Sequence, residues 1–516
     1  MLLGYSQITE KTIRLKCRGA AMYSVCGIDL GTQSCKIILY DPEAAQILAK
    51  TQAPLDIIAK NDGTREQKAE WYEAALADSF AAIDPSLRAT IAAIGVSGQQ
   101  HGFVPLDAEG RAIRPVKLWN DTSTAAECEE LTSKAGGEAA LLAETGLLML
   151  PGYTAPKILW LKKHESDAYA RLRHVLLPHD YVNFLLTGSY VTEYGDASGT
   201  ALFDVRVRRW SRRISDLIDP KLIDFLPYLI GPDEPAGRVS AEAARRFGIP
   251  EGALVAAGGG DNMMSAIGTG TVRDGFLTMS LGTSGTLYGY SDRPVVDPEG
   301  NLAAFCSSTG GWLPLLCTMN CTVASEQVRA LLGLSVEELN AQAEAAPIGA
   351  EGLVVLPFFN GERIPNLPNG RASINGATAA NFKKENLARA AMEAAIFGMR
   401  IGLESFKKLG FAAREIRLAG GGAKSRLWRQ IAANVTGLPV RVPEEEEAAA
   451  FGAAIQALWC LDRARGQGRN IEELVDQHVA LRDDSTVEPE PEAVAHYEEA
   501  YANYSKYLAA LSPLYR

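Results

Sequence analysis

The segment Ile28-Asp29-Leu30-Gly31-Thr32-Gln33 has an altered echo later in the chain, Met279-Ser280-Leu281-Gly282-Thr283-Ser284, with Gly282 in the place of Gly31. Each places a glycine and a hydroxyl residue where a run of strand formers turns, the pattern of a hairpin tip. Glycine lets a backbone approach phosphate oxygens closely, and threonine or serine supplies a hydroxyl donor. The echo is too short to establish a duplication, but two such hairpin tips could face each other across a cleft.

The first half supports this reading. Tyr23 to Ile28 and Lys36 to Tyr40 suit an antiparallel hairpin whose loop is Asp29 to Ser34. Trp71, Ala75, Leu76, Ser79, Phe80 and Ile83 fall at helical spacing, and Ile91 to Val96 is an apolar run stopping at Ser97-Gly98. Strand, strand, weaker strand, helix, strand predicts an α/β fold with a mixed sheet, not an alternating Rossmann unit. The chain's 516 residues exceed a single core. The expected division is an extension at 1–21, a first domain at 22–255, a second at 256–464 and a helical tail at 465–516. Residues 1–21 carry Lys11, Arg14, Lys16 and Arg18 after a short apolar start, the reverse of a signal peptide's order. In the tail, Tyr497, Tyr501, Tyr504 and Tyr507 form a stripe expected to dock on the body.

Composition narrows the partners. A formal net charge of -11 disfavours nucleic acid and anionic membrane, both of which reward a basic surface. Hydrophobic content of 47% and charged content of 22% are those of a soluble globular protein. No apolar run approaches the roughly 18 residues needed to span a bilayer. Eight cysteines without a CxxC pair fit a reducing cytoplasm rather than a disulfide scaffold or zinc site. Cys317 and Cys321 would share a helix face if their stretch is helical, and read best as small core-filling residues.

Four glycine-rich strand ends hold the candidate chemistry. Asp29 lies beside Gly31 and Thr32; a carboxylate among phosphate-binding groups makes sense with a bridging Mg²⁺, although a turn-capping aspartate fits the loop equally well. Gly258-Gly259-Gly260-Asp261-Asn262 follows the apolar run Leu254 to Ala257 and places Asp261 at a helix start, where a helix cap is the simpler reading in isolation. Gly98-Gln99-Gln100-His101-Gly102 ends a strand and offers amide and imidazole hydrogen bonds suited to a polyol. Leu418-Ala419-Gly420-Gly421-Gly422-Ala423 ends a strand and precedes a helix opening at Ser425, a nucleotide-binding arrangement that is neither a Walker A loop nor a Rossmann fingerprint.

In order and spacing, these motifs resemble the FGGY family of carbohydrate kinases, most closely its xylulokinase branch, from about Met22 into the tail. Leu118 to Asp121, Pro151 to Lys157, Leu177 to Tyr181, Ser280 to Gly285 and Gly361 to Pro365 share in the resemblance. It implies a two-domain actin/hexokinase-like (ribonuclease H-like) fold with an interdomain cleft, sugar mainly on the first domain and ATP mainly on the second. It implies ATP-dependent phosphorylation of a ketopentose, D-xylulose first, with Asp261 as catalytic base and Asp29 as the acid associated with Mg-ATP. Gln100, His101, Trp119, Asn120, Asp121 and Asn262 are then the sugar-side residues. Gly31, Thr32, Gln33 and Ser34 form the first phosphate loop, Gly282, Thr283 and Ser284 the second, and Gly421, Gly422 and Ala423 the adenosine segment. A homodimer is compatible with the family. Gln100 departs from the Met common in the xylulokinase branch, which leaves ribulose, a deoxy-ketose or a sugar alcohol as alternative substrates. An idle sugar or nucleotide sensor and an actin-like or chaperone ATPase are the competitors from other classes; both acids are present, and the last does not explain the Gln99 to Gly102 loop.

Overall fold

A computed structural model describes residues 23–515, so the extension expected at 1–21 lies outside the described residues. The chain builds two mixed sheets. The first contains β1 (Ser24–Leu30), β2 (Ser34–Asp41), β3 (Gln46–Pro54), β4 (Ile91–Gly98), β5 (Pro235–Arg238), β6 (Leu254–Ala256) and the short β7 (Gly259–Gly260). Their order is β5-β6-β4-β1-β2-β3, with β7 pairing the end of β4. The hairpin is antiparallel, with Asp29 opposite Lys36. β4 runs parallel to β1, setting Ser97 beside Asp29, and β7 is parallel to β4, setting Gly260 beside Gly98. Parallel strands end together, so Asp29, the Ser97–His101 segment and Asp261 all emerge at one edge of the sheet, where open α/β sheets bind ligands.

β1 is buried on both faces, which explains its near-continuous apolar run, Val25, Cys26, Ile28 and Leu30. One face takes α1 (Ala69–Ala81), packed by Tyr72, Leu76 and Phe80; Ile83, expected in that helix, lies beyond its end but is buried in the same core. α2 (Pro178–Thr187) packs on the same side. The other face takes α3 (Asp261–Thr269) and a helix from far along the chain, Ala448–Ala464. That long helix approaches so closely that glycine is required at the contact. A methyl at Gly27 would overlap the Ala450 carbonyl oxygen, and one at Gly452 would overlap that of Met264.

The second sheet contains β8 (Phe276–Leu281), β9 (Gly285–Gly289), β10 (Ala303–Cys306), β11 (Trp312–Thr318), β12 (Glu415–Ala419) and β13 (Val440–Arg441), in the order β10-β11-β9-β8-β12-β13. β8 and β9 form the second hairpin, and β12 lies parallel to β8 with Ala419 beside Ser280. Helix α4 (Lys384–Lys408) covers this sheet, flanked by α5 (Arg426–Thr436), whose N-cap Ser425 accepts from the Trp428 backbone N–H. In chain order the long helix is α6 (Ala448–Ala464) and the tail helix α7 (Pro491–Leu511). The tail docks as expected: Tyr497 and Tyr504 are buried, the Tyr504 ring lies 5.3 Å from that of Phe397, and Arg389 Nη2 donates to Tyr497 Oη at 2.7 Å.

The conditional helix at Cys317–Cys321 is not formed. Cys317 lies in β11 and Cys321 in the following loop, where its backbone N–H bonds to the Thr283 carbonyl. Cys321 is a buried core residue, and Cys317 faces the cleft. All seven cysteines among the described residues are free thiols, and no described helix is long and apolar enough to cross a membrane.

Candidate active site

The glycine triplet before Asp261 is dictated by space. Gly258 has φ of 78°, and methyls at Gly259 and Gly260 would lie 2.5 Å from Ser308 Oγ and 2.6 Å from Gln100 Cγ. The strand thereby passes tightly behind Gln100, and Asp261 becomes the first residue of α3. Its Oδ1 accepts from the backbone N–H of Asn262 at 2.8 Å and from Asn262 Nδ2 at 3.0 Å. Asn262 Nδ2 also donates to Gln100 Oε1 at 2.8 Å, so amide and acid are held as one unit. Desolvation, and secondarily the charge of Asp29, push the Asp261 carboxyl up to about 7.

Asp29 accepts from Ser97 Oγ at 2.8 Å, a contact set by the parallel register of β1 and β4. Burial pushes its carboxyl up to about 6, tempered by the Ser97 hydrogen bond and the Lys36 ammonium. The Asp29 charge bears on Asp261, in keeping with the strands β1, β4 and β7 ending at the same edge of the sheet.

A cavity of about 210 Å³ lies between the halves. Gln100, His101, Trp119, Asp261 and Asn262 line it from the first, Ser280, Ser284 and Arg363 from the second. His101 is fixed in a left-handed conformation (φ 65°), its carbonyl accepting from Lys157 Nζ at 2.8 Å and Thr154 Oγ1 at 3.2 Å. Burial, reinforced by the charges of Lys157 and Arg363, drives the imidazole well below its ordinary pKa, so it is neutral. Gln100 Nε2 is buried without a hydrogen-bond partner, a pattern that a polar ligand would complete, whereas His101 Nδ1 is packed against the Gly199 backbone.

The other expected residues are placed unevenly. Trp119 Nε1 donates to Thr32 Oγ1 at 3.0 Å, and Thr32 donates to Gln99 Oε1 at 3.1 Å, so the first tip is tied to the sugar-side loops. Gly31 closes that tip through its N–H to the Ser34 carbonyl; Gln33 is exposed and Ser34 buried. Asn120 is half-buried beside the cavity wall without lining it. Asp121 does not reach the cavity. It is completely buried, pairing with Lys117 Nζ at 3.1 Å and accepting from Ser123 Oγ at 2.6 Å and the Arg65 N–H at 2.9 Å. At the second tip Thr283 is exposed and Ser284 lines the cavity.

A second cavity, about 280 Å³, is lined by Gly420, Gly421 and Ala423, with Gly422 buried behind them. Lys36, the register partner of Asp29, borders it and pairs with Glu447 at 2.5 Å. Among the described residues no cluster of three or more acidic, histidine or cysteine side chains could cage a metal. A lone carboxylate such as Asp29 fits Mg²⁺ that arrives bound to phosphates and keeps most of its own waters.

The N-terminal domain description of the FGGY family of carbohydrate kinases matches residues 24–268, and the C-terminal domain description matches 277–461. The chain belongs to the FGGY family. It is 44% identical over 501 residues to a xylulose kinase of Haemophilus influenzae, covering 95% of this chain and 99% of that one. A xylulose kinase of Bacillus subtilis is 33% identical over 494 residues, covering 94% and 96%. A crystal structure of a xyloylose kinase from Brucella ovis superposes with a TM-score of 0.87 at 33% identity, covering 95% of this chain and all of that one. This FGGY member is therefore a carbohydrate kinase, xylulokinase-like in sequence, with the two-domain actin/hexokinase-like ATPase fold, a sugar acceptor and ATP as phosphoryl donor.

Residues whose function comes from tertiary contact escaped the sequence reading. Ser97, Lys157 and Arg363 all lay inside quoted motifs without an assigned part; the strand-end position of Ser97, one register step from Asp29, was the available signal.

Proposed function

We propose that this kinase transfers the γ-phosphoryl group of ATP to the terminal hydroxyl of D-xylulose, giving D-xylulose 5-phosphate, with Asp261 receiving the hydroxyl proton. The observation that carries the reading is the Asp261 carboxylate on the cavity wall, oriented by Asn262 and held near neutrality beside Asp29. A base poised near the working pH suits proton abstraction in phosphoryl transfer. The sugar itself is supported by the xylulose kinase names of the relatives.

Gln100, through its unpaired amide nitrogen, and the neutral His101 imidazole orient the acceptor, with Trp119 on the cavity wall. The tips at Gly31–Ser34 and Gly282–Ser284 are suited to the phosphates, and Gly421–Ala423 with the second cavity to the adenosine. Mg²⁺ bound to the nucleotide near Asp29 supplies charge neutralisation. ADP release measured over D-xylulose, the other ketopentoses, L-fuculose, gluconate and glycerol tests the assignment. D-xylulose is expected to give the highest kcat/KM; preference for another sugar would reassign the substrate, and ADP release indifferent to sugar would remove the kinase reading.

Because Asp261 must be ionised to act and its carboxyl sits at about 7, kcat/KM for the sugar is expected to fall about tenfold per pH unit below that value and to level off above it. A flat profile between pH 5 and 7.5 would separate Asp261 from proton transfer. Asp29→Ala is expected to raise KM for Mg-ATP or depress kcat by ~10²-fold, in the range of a removed electrostatic contact, while the sugar dissociation constant stays within about threefold. A variant in which both kcat and KM for Mg-ATP are unaltered contradicts that role.

A further inference from the structure

Arg363 reaches the sugar-side cavity from the second half, on the loop after the strand Val354–Leu356. Its neighbour fixes the loop. The buried Glu362 carboxylate accepts from the backbone N–H groups of Met319 (2.5 Å) and Arg363 (2.8 Å) and from Asn320 Nδ2 (3.0 Å), so this acid is occupied and does not pair with the guanidinium beside it. Among the described residues no carboxylate forms an ion pair with Arg363, whose side-chain neighbour in the cavity is the Cys317 thiol, a weak acceptor.

The guanidinium stands against Gly152, where a methyl group would lie 3.2 Å from Arg363 Nη2. The adjoining Tyr153 ring meets His101 edge-on at 4.9 Å. Lys157 Nζ already fills the carbonyls of Gly152 (2.7 Å) and His101 (2.8 Å). The charge of Arg363 bears on His101, Tyr153 and Cys317, whereas the charges bearing on Asp261 are those of Asp29 and Asp196. The cavity is therefore lined by both a carboxylate, from α3, and a guanidinium, from the second-half loop.

We propose that Arg363 recognises the carbonyl oxygen of an open-chain 2-ketose in the cavity it shares with Asp261, and so selects ketoses over alditols of the same length. The inference rests on the ketopentose reading above and deepens it. A ketopentose phosphorylated on its terminal hydroxyl cannot be in the five-membered ring closed through that same oxygen, so it reacts as the open chain with a free carbonyl. Guanidinium is a donor only, and a carbonyl oxygen is an acceptor only. A hydroxyl in the same place brings a proton that needs an acceptor of its own, and the guanidinium offers none. A partly buried cation without an anionic partner is costly, and the ketose oxygen is the ligand atom that relieves it.

Calorimetric dissociation constants for D-xylulose and for xylitol, its carbonyl-reduced analogue, test this in the wild type, Arg363→Met and Arg363→Lys, with circular dichroism confirming that each is folded. Wild type is expected to bind the ketose roughly 10–100-fold tighter than the alditol, the size of a hydrogen bond to a charged donor. Arg363→Met is expected to bring that ratio to about threefold or less, with Arg363→Lys between. A wild type without preference, or a folded Arg363→Met that keeps the full ratio, overturns the inference. The ADP-release assay is read separately: if the ratios behave as expected but no ADP appears with D-xylulose, only the phosphoryl-transfer reading fails.

Discussion

Asp261→Asn is expected to lower kcat by ~10²–10⁴-fold, the usual contribution of a positioned general base, with the sugar dissociation constant little changed. The amide keeps the side-chain shape and an oxygen able to accept from the Asn262 backbone and side chain, so the Gln100–Asn262–Asp261 unit persists. What disappears is the capacity to take a proton. The same variant carries an opposite signature in stability. The folded carboxyl is raised to about 7, above its unfolded value, so the stability linked to its protonated form is lost as pH rises through about 7. At pH 8 the wild type bears a desolvated charge that the asparagine variant lacks, and the variant is expected to melt higher. Between pH 7 and pH 4 the gap is expected to narrow, and the two melting temperatures are expected to converge only below the unfolded carboxyl's value of about 4. Near-wild-type turnover, or a difference in Tm that does not depend on pH, contradicts this account of Asp261.

Gly452→Val is expected to cost more than ~4 kcal/mol of stability, a large share of the ~5–15 kcal/mol typical of a domain. Overpacking commonly costs ~1–3 kcal/mol because side chains can rotate away. Here the obstruction is the Met264 carbonyl of α3, and backbone cannot yield without moving the helix. The reciprocal contact is equally tight: a methyl on Gly268 of α3 would strike the Ala448 carbonyl of α6. On the sheet side, Gly27 and Gly95 stand in the same relation to Ala450 and Ala453. Thermal unfolding should show Tm lower by roughly 10 °C or more, or no soluble product. Gly421→Ala is the control, since its added methyl meets nothing within 4 Å, and its Tm should stay near that of the parent. A Gly452→Val protein with parental Tm would mean that α6 is not seated as described.

The parts of the site legible in the sequence are those governed by local backbone chemistry. A strand that breaks at Gly258-Gly259-Gly260 and resumes as a helix announces the position of Asp261, because only glycine tolerates the conformation and the crowding there. The two hairpin tips were legible for the same reason, and their register then aligned Asp29 with Ser97. Asp121 shows the limit. It adjoins Trp119, which does line the cavity, yet its carboxylate is consumed by Lys117 and Ser123 within its own turn. No spacing rule distinguishes an acid facing a ligand from one facing a buried lysine. The Cys317–Cys321 spacing misled in a different way, since a four-residue interval has meaning only on a helix and β11 occupies the first of the two. Arg363 lay in a quoted motif, but its value depends on Glu362 being occupied elsewhere, which is a tertiary fact.

The seating of α6 on β1 and β4 has a consequence for biosynthesis. The earliest strands to leave the ribosome lack the cover for one face until residues 448–464 have been translated, nearly the whole length of the chain later. During that interval apolar sheet surface is open to chaperones and to neighbouring nascent chains. A premature stop anywhere before Ala448 therefore yields not a free-standing sugar-binding half but a product bound for degradation.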